Sequence, residues 1–400
     1  MLIPSTGANK SEARARTRIW DVPVRVFHWL FALAFGAAWL STGDRYLYLH
    51  VFAGYVFGAL LAFRLAWGIV GGGHARFARF LYSPAQALSY LHALARRRAP
   101  DFGGHNPAGS WAVFLMLALA AGLAATGLLT LGGQEQEGPL AGTLGFGAGA
   151  LLRDVHAGLA WALAVTAALH VTGVLAGSLA HRENLVAAMV TGHKRATGER
   201  DVRARAGIGI AMVTLLAAAA ALYFRPLVSA PPGKPYLPYT GPRLADDTTW
   251  RTECGSCHLA YQPGLLPARS WRRMLAGQHD HFGEDLALDS TTLHTVEVFL
   301  TRHGAERGET EPAWYVAHTT PAREVPLRIT RTAYWRGKHG GLDPGVWSRP
   351  GVHGKADCAA CHLDAAAGTF RDGAMRIPAA ALTWHAQTSN PTLLVKEANP

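Results

Sequence analysis

The sequence has few charged residues and few cysteines for its length. Only 16% of its 400 residues are charged and 50% are apolar, whereas soluble proteins carry about 25% charged residues. This shortage argues against a wholly soluble chain and favours a membrane protein. All 4 cysteines lie in two Cys-x-x-Cys-His motifs, so none remains for a disulfide framework or a thiol nucleophile.

Five apolar segments are long enough to cross a bilayer about 30 Å thick, which requires roughly 20 helical residues. They predict a mainly α protein: a transmembrane helical bundle of four helices plus a fifth, followed by a small, loop-rich α-helical domain. No cleavage site follows the first segment, so we expect an uncleaved helix rather than a signal peptide. The segments lie at 22–40, 48–70, 111–131, 155–179 and 206–224.

Almost all of the net charge of +11 lies before residue 226. A basic chain could bind nucleic acid, but these residues flank the apolar segments and therefore indicate topology instead. The basic residues are concentrated before the first span, after the second and after the fourth, which predicts a cytoplasmic N-terminus. We expect a membrane domain at 1–205, a fifth helix at 206–225, a Pro-rich linker at 226–248 and a periplasmic domain at 249–400.

The two cysteine motifs match the signature for covalent attachment of c-type haem. Two thiols at this spacing meet the two vinyl groups of one porphyrin, and the following histidine reaches the iron. The alternative is a zinc site built from the two Cys-x-x-Cys pairs. The residues concerned are Cys254, Cys257 and His258 in the first motif and Cys358, Cys361 and His362 in the second.

Spacing alone leaves the sixth ligand of each c-haem iron open. Histidine and methionine side chains near each motif are candidates, although most surface histidines are not ligands. For the first motif the candidates are Met274, His279, His281 and His294, and for the second they are His339, His353, Met375 and His385.

Four histidines lie inside the apolar segments, where an ionisable side chain suggests function. His156 and His170 share one helix and are separated by about four turns, or roughly 21 Å, so both face the same side at different depths. Depth matching pairs His28 with His170 near the inner face and His50 with His156 near the outer face. Facing helices of a bundle often supply cofactor ligands in this way. The pattern predicts two bis-imidazole iron sites stacked across the bilayer.

Three further residues have two interpretations each. Gly54 and Gly58 follow His50 on its face of the helix, where they could accommodate a porphyrin or simply allow close helix packing. Arg64 could pair with a haem propionate, or its side chain could extend to the lipid headgroups. The remaining histidines near the cytoplasmic loops, including His74 and His105, are predicted to be solvated interfacial residues, and the alternative is a proton route to a quinone.

Residues 19–205 resemble the prokaryotic cytochrome b561 family, which includes the cytochrome b subunit of nickel–iron hydrogenases. The matching pieces include WDVPVRVFHWL, HVFAGYVFGALLAFRLAWGIVG and DVHAGLAWALAVTAALHVTGV. The resemblance implies a four-helix diheme b core and electron exchange with the quinone pool. Its axial ligands would be His28, His50, His156 and His170. A periplasmic domain after a fifth helix is a departure that argues against docking to a hydrogenase.

Residues 249–395 resemble the bacterial diheme cytochrome c domain through the pieces ECGSCHLAYQPGLLPARSW, HDHFGEDLALD, RITRTAYWRGKHGGL and DCAACH. This resemblance implies that His281 and His339 are the distal ligands, and that small soluble cytochromes are partners. It therefore favours bis-histidine ligation for both c haems.

The function expected from these features is electron transfer from the quinol pool through two b haems and two c haems to a soluble periplasmic acceptor. No side chain is expected to be catalytic, although the chain would then act as a quinol:cytochrome c oxidoreductase. One alternative is oxidation of superoxide or another small oxidant at the outer face, with electrons passed to quinone. Another is a binding or sensing role. Spectra that do not respond to carbon monoxide would disfavour gas or peroxide chemistry at the irons, but not oxidation at a porphyrin edge.

Overall fold

Helices dominate the computed structural model, which describes residues 15–43, 46–196, 200–229 and 239–379. This architecture confirms the prediction of a mainly α protein with five membrane-spanning helices. The membrane part contains α1 (Val22–Leu40), α2 (Leu47–Val70), α3 (Pro84–Ala95), α4 (Pro107–Thr130), α5 (Phe146–His181), α6 (Leu185–Thr191) and α7 (Ala206–Val228). The later part contains α8 (Thr248–Gly255), α9 (Ala268–Ala276), α10 (Ser290–Arg302), α11 (Glu311–Thr319) and α12 (Ala333–His339).

We call the end of the bundle at which α1 begins and α2 ends the inner end, and the opposite end the outer end. Polar contacts around the start of α1 stabilise the inner end. Asp21 caps this helix by accepting a 3.0 Å hydrogen bond from the backbone N–H of Val24, and Pro23 favours the first turn. The second carboxylate oxygen of Asp21 accepts a 3.0 Å bond from the indole N–H of Trp67 at the end of α2. A short antiparallel pair, β1 (Ala15–Arg18) and β2 (His193–Ala196), lies beside this end.

Aromatic and aliphatic side chains fill the centre of the bundle, where Phe31 stacks on Phe57 with ring centroids 4.1 Å apart. Helices α1 and α2 pack together, as do α4 and α5, and α7 packs on α1. The outward faces remain apolar and exposed, which suits lipid rather than water. The buried core residues include Phe27, Phe57, Leu60, Leu61, Leu117, Ala120, Leu123 and Leu163.

Helix α5 is much longer than the predicted fourth span at 155–179. It contains 36 residues, and at 1.5 Å per residue it measures about 54 Å, well beyond the roughly 30 Å of a bilayer core. Residues 146–154 contain no proline that would stop the helix, so it continues outward into contact with the later domain, where the Phe146 and Trp314 ring centroids are 5.9 Å apart. Helix α7 also runs past its expected end, with Pro226 inside its last turn.

The later domain has its own small core, formed by α8, α9 and α10 around Trp250, Trp271 and Val296. Its short helices carry side-chain caps, such as Asp247 before α8 and Asp289 before α10. Short 3₁₀ turns lie between and after these helices, and the turns at Cys358–Ala360 and Asp372–Ala374 follow the last helix, α12. The result agrees with the predicted loop-rich helical domain. Of the predicted linker, residues 230–238 lie outside the described residues.

Candidate functional site

The structure brings His50 and His156 close together near the outer end of the bundle. Their ring centroids are 6.2 Å apart and the rings are inclined by 73°. His50 Nδ1 lies 2.9 Å from the carbonyl oxygen of Ala38. A carbonyl oxygen can only accept, so Nδ1 carries the proton and the lone pair of Nε2 is left for a metal.

Thr126 on α4 orients the opposing imidazole of His156. The threonine hydroxyl donates to the carbonyl oxygen of Gly122 at 2.8 Å, so it accepts from His156 Nδ1 at 3.1 Å. His156 therefore also has its Nε2 lone pair free. Sequence reasoning missed Thr126, because a threonine in an apolar helix usually bonds only to its own backbone, as Thr166 does.

The spacing of this pair fits one metal ion. Two imidazoles that bind a metal from opposite sides, each through a nitrogen about 2 Å away, have centroids about 6 Å apart. A Cβ added to Gly54 would meet no atom within 4 Å, and one added to Gly58 would approach only Ala124, at 3.9 Å. The surface of α2 beyond His50 can therefore accommodate a flat group, which agrees with the haem interpretation of these glycines.

His28 and His170 lie together toward the inner end of the bundle, near enough to interact electrostatically. Nδ1 of His28 is buried and has no hydrogen-bond partner within the described part of the chain. A buried polar atom of this kind is uncommon in native proteins and often marks a functional position. His156 and His170 thus lie near His50 and His28, respectively, at two levels along α5.

Arg64 is buried, with only 3% of its surface exposed, and its side chain turns into the protein. It donates a 3.1 Å hydrogen bond to the carbonyl oxygen of Ala75, and its guanidinium lies 4.4 Å from the centre of the Phe77 ring. This placement disfavours a headgroup contact and leaves the propionate interpretation as the one that we retain.

His105 corrects the expectation of a solvated interfacial residue. Its ring packs against Phe80, with centroids 4.1 Å apart, and against Trp20, at 4.8 Å. Burial is the main cause that lowers the pKa of His105 to about 3, and the nearby charges of Arg64 and His74 act in the same direction. The imidazole is therefore neutral, and it is part of the packed inner end of the bundle.

In the first cysteine motif, His258 faces His281 with ring centroids 6.3 Å apart and an inclination of 30°. Nδ1 of His258 donates to the carbonyl oxygen of Leu259 at 2.8 Å, which leaves Nε2 free. Of the other candidate ligands, His279 is paired with Asp285, and Met274 packs against the domain core. His294 is exposed on α10.

In the second motif, His362 faces His339 with centroids 6.2 Å apart. Nδ1 of His339 donates to the carbonyl oxygen of Trp335 at 2.9 Å, and burial lowers the pKa of both imidazoles, so both are neutral at physiological pH. His353 instead contacts Asp357, at 3.0 Å. Met375 pairs with His362 through a backbone bridge, and His385 lies outside the described residues.

The four cysteines carry no disulfide bond. Burial raises the pKa of the Cys254 and Cys358 thiols to about 11, so both remain protonated at physiological pH. Within each motif, two thiols separated by two residues and followed by a histidine can add to the two vinyl groups of one porphyrin. The motif residues therefore fit covalent haem, with His258 and His362 as proximal ligands.

Comparison with known families divides the chain into the same two parts. Residues 19–192 match the family described as prokaryotic cytochrome b561, and residues 250–370 match dihaem cytochrome c. The chain is 24% identical over 220 residues to the probable Ni/Fe-hydrogenase B-type cytochrome subunit of Cupriavidus necator. That alignment covers 44% of this chain and 86% of the relative.

Solved structures similar to the chain are diheme c-type cytochromes. The diheme cytochrome c from Rhodobacter sphaeroides is 32% identical and covers 32% of this chain and 99% of its own, with a TM-score of 0.29. The diheme cytochrome type c from Shewanella baltica is 30% identical and covers 33% and 94%, with a TM-score of 0.28. The membrane bundle of this chain therefore matches prokaryotic cytochrome b561, and its later domain matches dihaem cytochrome c.

Proposed function

We propose that this chain transfers electrons from quinol in the bacterial inner membrane to a soluble periplasmic acceptor. The match of its two parts to cytochrome b561 and to dihaem cytochrome c indicates electron transfer and implies haem b and haem c as cofactors. We assign two haems of each kind. The proposed b-haem ligands are His28 with His170 and His50 with His156. The proposed c-haem ligands are His258 with His281 and His362 with His339, with covalent attachment through Cys254, Cys257, Cys358 and Cys361.

The observation that carries this proposal is the repeated spacing of paired imidazoles. Three pairs lie 6.2 to 6.3 Å apart, one in the bundle and two in the later domain. When bound, each haem iron supplies reversible one-electron transfer. Histidines on both sides of the iron occupy the positions at which a gas or peroxide would bind, and this arrangement favours an electron carrier over catalysis at the metal.

The positions of the basic residues support a haem propionate as the partner of Arg64 and an orientation of the chain in the membrane. Arg64 is a buried cation at the inner end of the bundle, and a negatively charged propionate there would compensate it. The basic loops predict a cytoplasmic N-terminus, and with five candidate spans we expect the later domain to lie in the periplasm. A small soluble cytochrome in that compartment is the partner that we propose.

The proposal is tested by adding a short-chain quinol to the purified protein in detergent and following c-haem absorbance. In the wild type we expect rapid reduction of the c haems. In the double variant His50→Ala, His156→Ala we expect this reduction to be lost, because the outer b site no longer holds its haem.

Histidine at the membrane boundary provides a matched control for this measurement. His181→Ala, at the end of α5, changes a histidine outside the proposed ligand set and should leave c-haem reduction at its wild-type rate. Rapid c-haem reduction in the His50→Ala, His156→Ala variant would contradict the proposed route.

A further inference from the structure

We propose that Arg371 docks the second Cys-x-x-Cys-His motif onto the outer end of the membrane bundle. In this arrangement the second motif lies beside the His50/His156 pair, and the first motif faces the solution, where a soluble redox protein binds. The inference rests on the proposed function for two statements, that electrons cross this contact and that a soluble redox protein accepts them at the first motif. The arrangement itself depends on contacts within the chain.

Arg371 connects the two domains through a buried ion pair. Its side chain is only 4% exposed and it contacts Glu137, which follows the outer end of α4 and is 17% exposed. The same guanidinium lies 3.6 Å from Asp364 in its own domain. Removing one partner of a buried ion pair is costly because it leaves an uncompensated charge. Arg371 therefore acts as a positioning residue at the interface.

The segment that carries Arg371 is bonded directly to the second motif. Asp364, two residues after His362, accepts hydrogen bonds from the backbone N–H of Arg371 at 2.9 Å and from the Thr369 hydroxyl at 2.6 Å. The backbone N–H of Arg376 donates to the carbonyl oxygen of Cys361 at 2.7 Å. Hydrogen bonds thus couple the position of the Arg371 segment to the residues on either side of His362.

The same segment packs on the outer end of α2. The turn Asp372–Ala374 contacts this helix, and a Cβ added to Gly373 would overlap the phenol of Tyr48. Tyr48 lies two residues before His50 on α2, so its backbone is within one helical turn of the outer histidine pair. The second motif is therefore the one placed beside that pair.

The first motif is connected to the second through Tyr261. The His258 ring stacks on the Tyr261 ring, with centroids 4.9 Å apart, and the tyrosine hydroxyl donates a 2.8 Å hydrogen bond to the carbonyl oxygen of Ala356. Residues 255–258 are exposed, whereas Cys358, Cys361 and His362 are half-buried. The first motif thus lies beyond the second and presents its surface to the solution.

Photo-cross-linking tests the arrangement without quinol or acceptor. A photoreactive benzoylphenylalanine replaces Tyr48 in the full-length protein, and cross-linked peptides are identified by mass spectrometry. We expect cross-links to residues 371–376. Cross-links to residues 254–282, or none to the later domain, would overturn the proposal.

A second substitution tests the role of Arg371 in the same experiment. Arg371→Gln should lower the yield of this cross-link severalfold. The matched control Arg251→Gln removes an arginine whose partner, Asp246, is 60% exposed, and it should leave the yield unchanged. An unchanged yield in Arg371→Gln would show that this residue does not dock the motif.

Redox measurements test the order of the two motifs independently. The protein is reduced chemically and mixed with oxidised mitochondrial-type cytochrome c, so that each electron oxidises one ferrous haem of the chain and reduces one ferric haem of the acceptor. In the variant Cys358→Ala, Cys361→Ala we expect b-haem oxidation to be slower by more than about tenfold, with the remaining c haem still oxidised rapidly.

The variant Cys254→Ala, Cys257→Ala is the matched comparison. Here the b haems and the remaining c haem should exchange electrons freely, while their oxidation by the acceptor is slow. Wild-type b-haem oxidation in the Cys358→Ala, Cys361→Ala variant would overturn the proposed order. Because no quinol is present, a chain that fails to accept electrons from quinol can still pass both tests, and that result would contradict only the proposed function.

Discussion

Nδ1 of His50 donates a hydrogen bond to the backbone carbonyl of Ala38, and the imidazole that faces it, His156, is held through the hydroxyl of Thr126. One ligand is thus oriented by a backbone group and the other by a side chain. Partners of this kind fix ring orientation and raise the basicity of a ligating histidine. Only the partner of His156 can be removed by a simple substitution.

Thr126→Val should raise the midpoint potential of the outer b haem. Without its hydrogen-bond partner, His156 becomes a weaker electron donor to the iron. The ferric state is then less stabilised by its ligand, and the midpoint potential rises. The half-buried Nδ1 group of His156 also loses the Thr126 hydroxyl as its hydrogen-bond partner. A redox titration of both b haems measures the shift, and the inner haem should not change.

Thr166→Val is the control for this substitution, because the Thr166 hydroxyl bonds to the carbonyl oxygen of Ala162 within its own helix. It makes the same chemical change in α5 without removing a histidine partner. Equal shifts in Thr126→Val and Thr166→Val would show that the Thr126 hydroxyl has no special influence on the outer site.

Arg64→Leu should lower the midpoint potential of the inner b haem. A buried positive charge favours the reduced state of a nearby iron, and its removal makes addition of an electron less favourable. Arg64→Lys keeps the charge and should retain most of the potential, although it loses the planar guanidinium contact with Phe77. The outer haem serves as the internal reference in the titration, and an unchanged inner potential in Arg64→Leu would argue against a propionate partner.

Much of the fold and of the site follows from local sequence patterns. Apolar runs predict the spans, and the separation of His156 and His170 predicts two sites at different depths, because both depend on helical periodicity within one segment. The extension of α5 back to Phe146 was not predicted, since residues 146–154 include the charged Arg153 and Asp154 and do not look like a membrane span.

Other parts of the site depend on contacts between residues that are distant in the sequence. The pairing of Thr126 with His156 and of Arg371 with Glu137 forms only when separate helices or domains meet. Ala38 contributes a carbonyl oxygen, which every residue has, so no residue type marks its role. Such contacts leave no local pattern from which they could be predicted.

Asp289 makes the stability of the later domain depend on pH. It caps α10, and the hydroxyl and N–H of Thr292 and the N–H of Thr291 bind its carboxylate and lower its pKa. A carboxyl group whose pKa is lower in the folded state stabilises the fold above the pKa of the unfolded chain, about 3.9, and this contribution is lost as pH falls through the folded value.

We therefore expect Asp289→Ala to lower the thermal unfolding temperature at neutral pH, followed at the Soret band of the c haems. The difference from the wild type should shrink as pH falls below about 3.9. Asp289→Asn keeps a capping side chain and should be nearer the wild type at neutral pH. A difference between Asp289→Ala and the wild type that is the same at every pH would contradict this assignment.

Carbon monoxide distinguishes the distal ligands of the c haems from their neighbours. With two imidazoles on every iron, the reduced wild-type protein should show no spectral change when carbon monoxide is added. His281→Ala and His339→Ala each remove one imidazole of a facing pair and should each create one carbon monoxide-binding c haem.

His279→Ala and His353→Ala are the matched controls, because these histidines contact Asp285 and Asp357 instead. The spectra of these two variants should not change when carbon monoxide is added. Carbon monoxide binding in His353→Ala but not in His339→Ala would contradict this assignment. The distal ligand of the second haem would then be His353, in the loop before the motif, and the 6.2 Å pair of His339 and His362 would have no role in ligation.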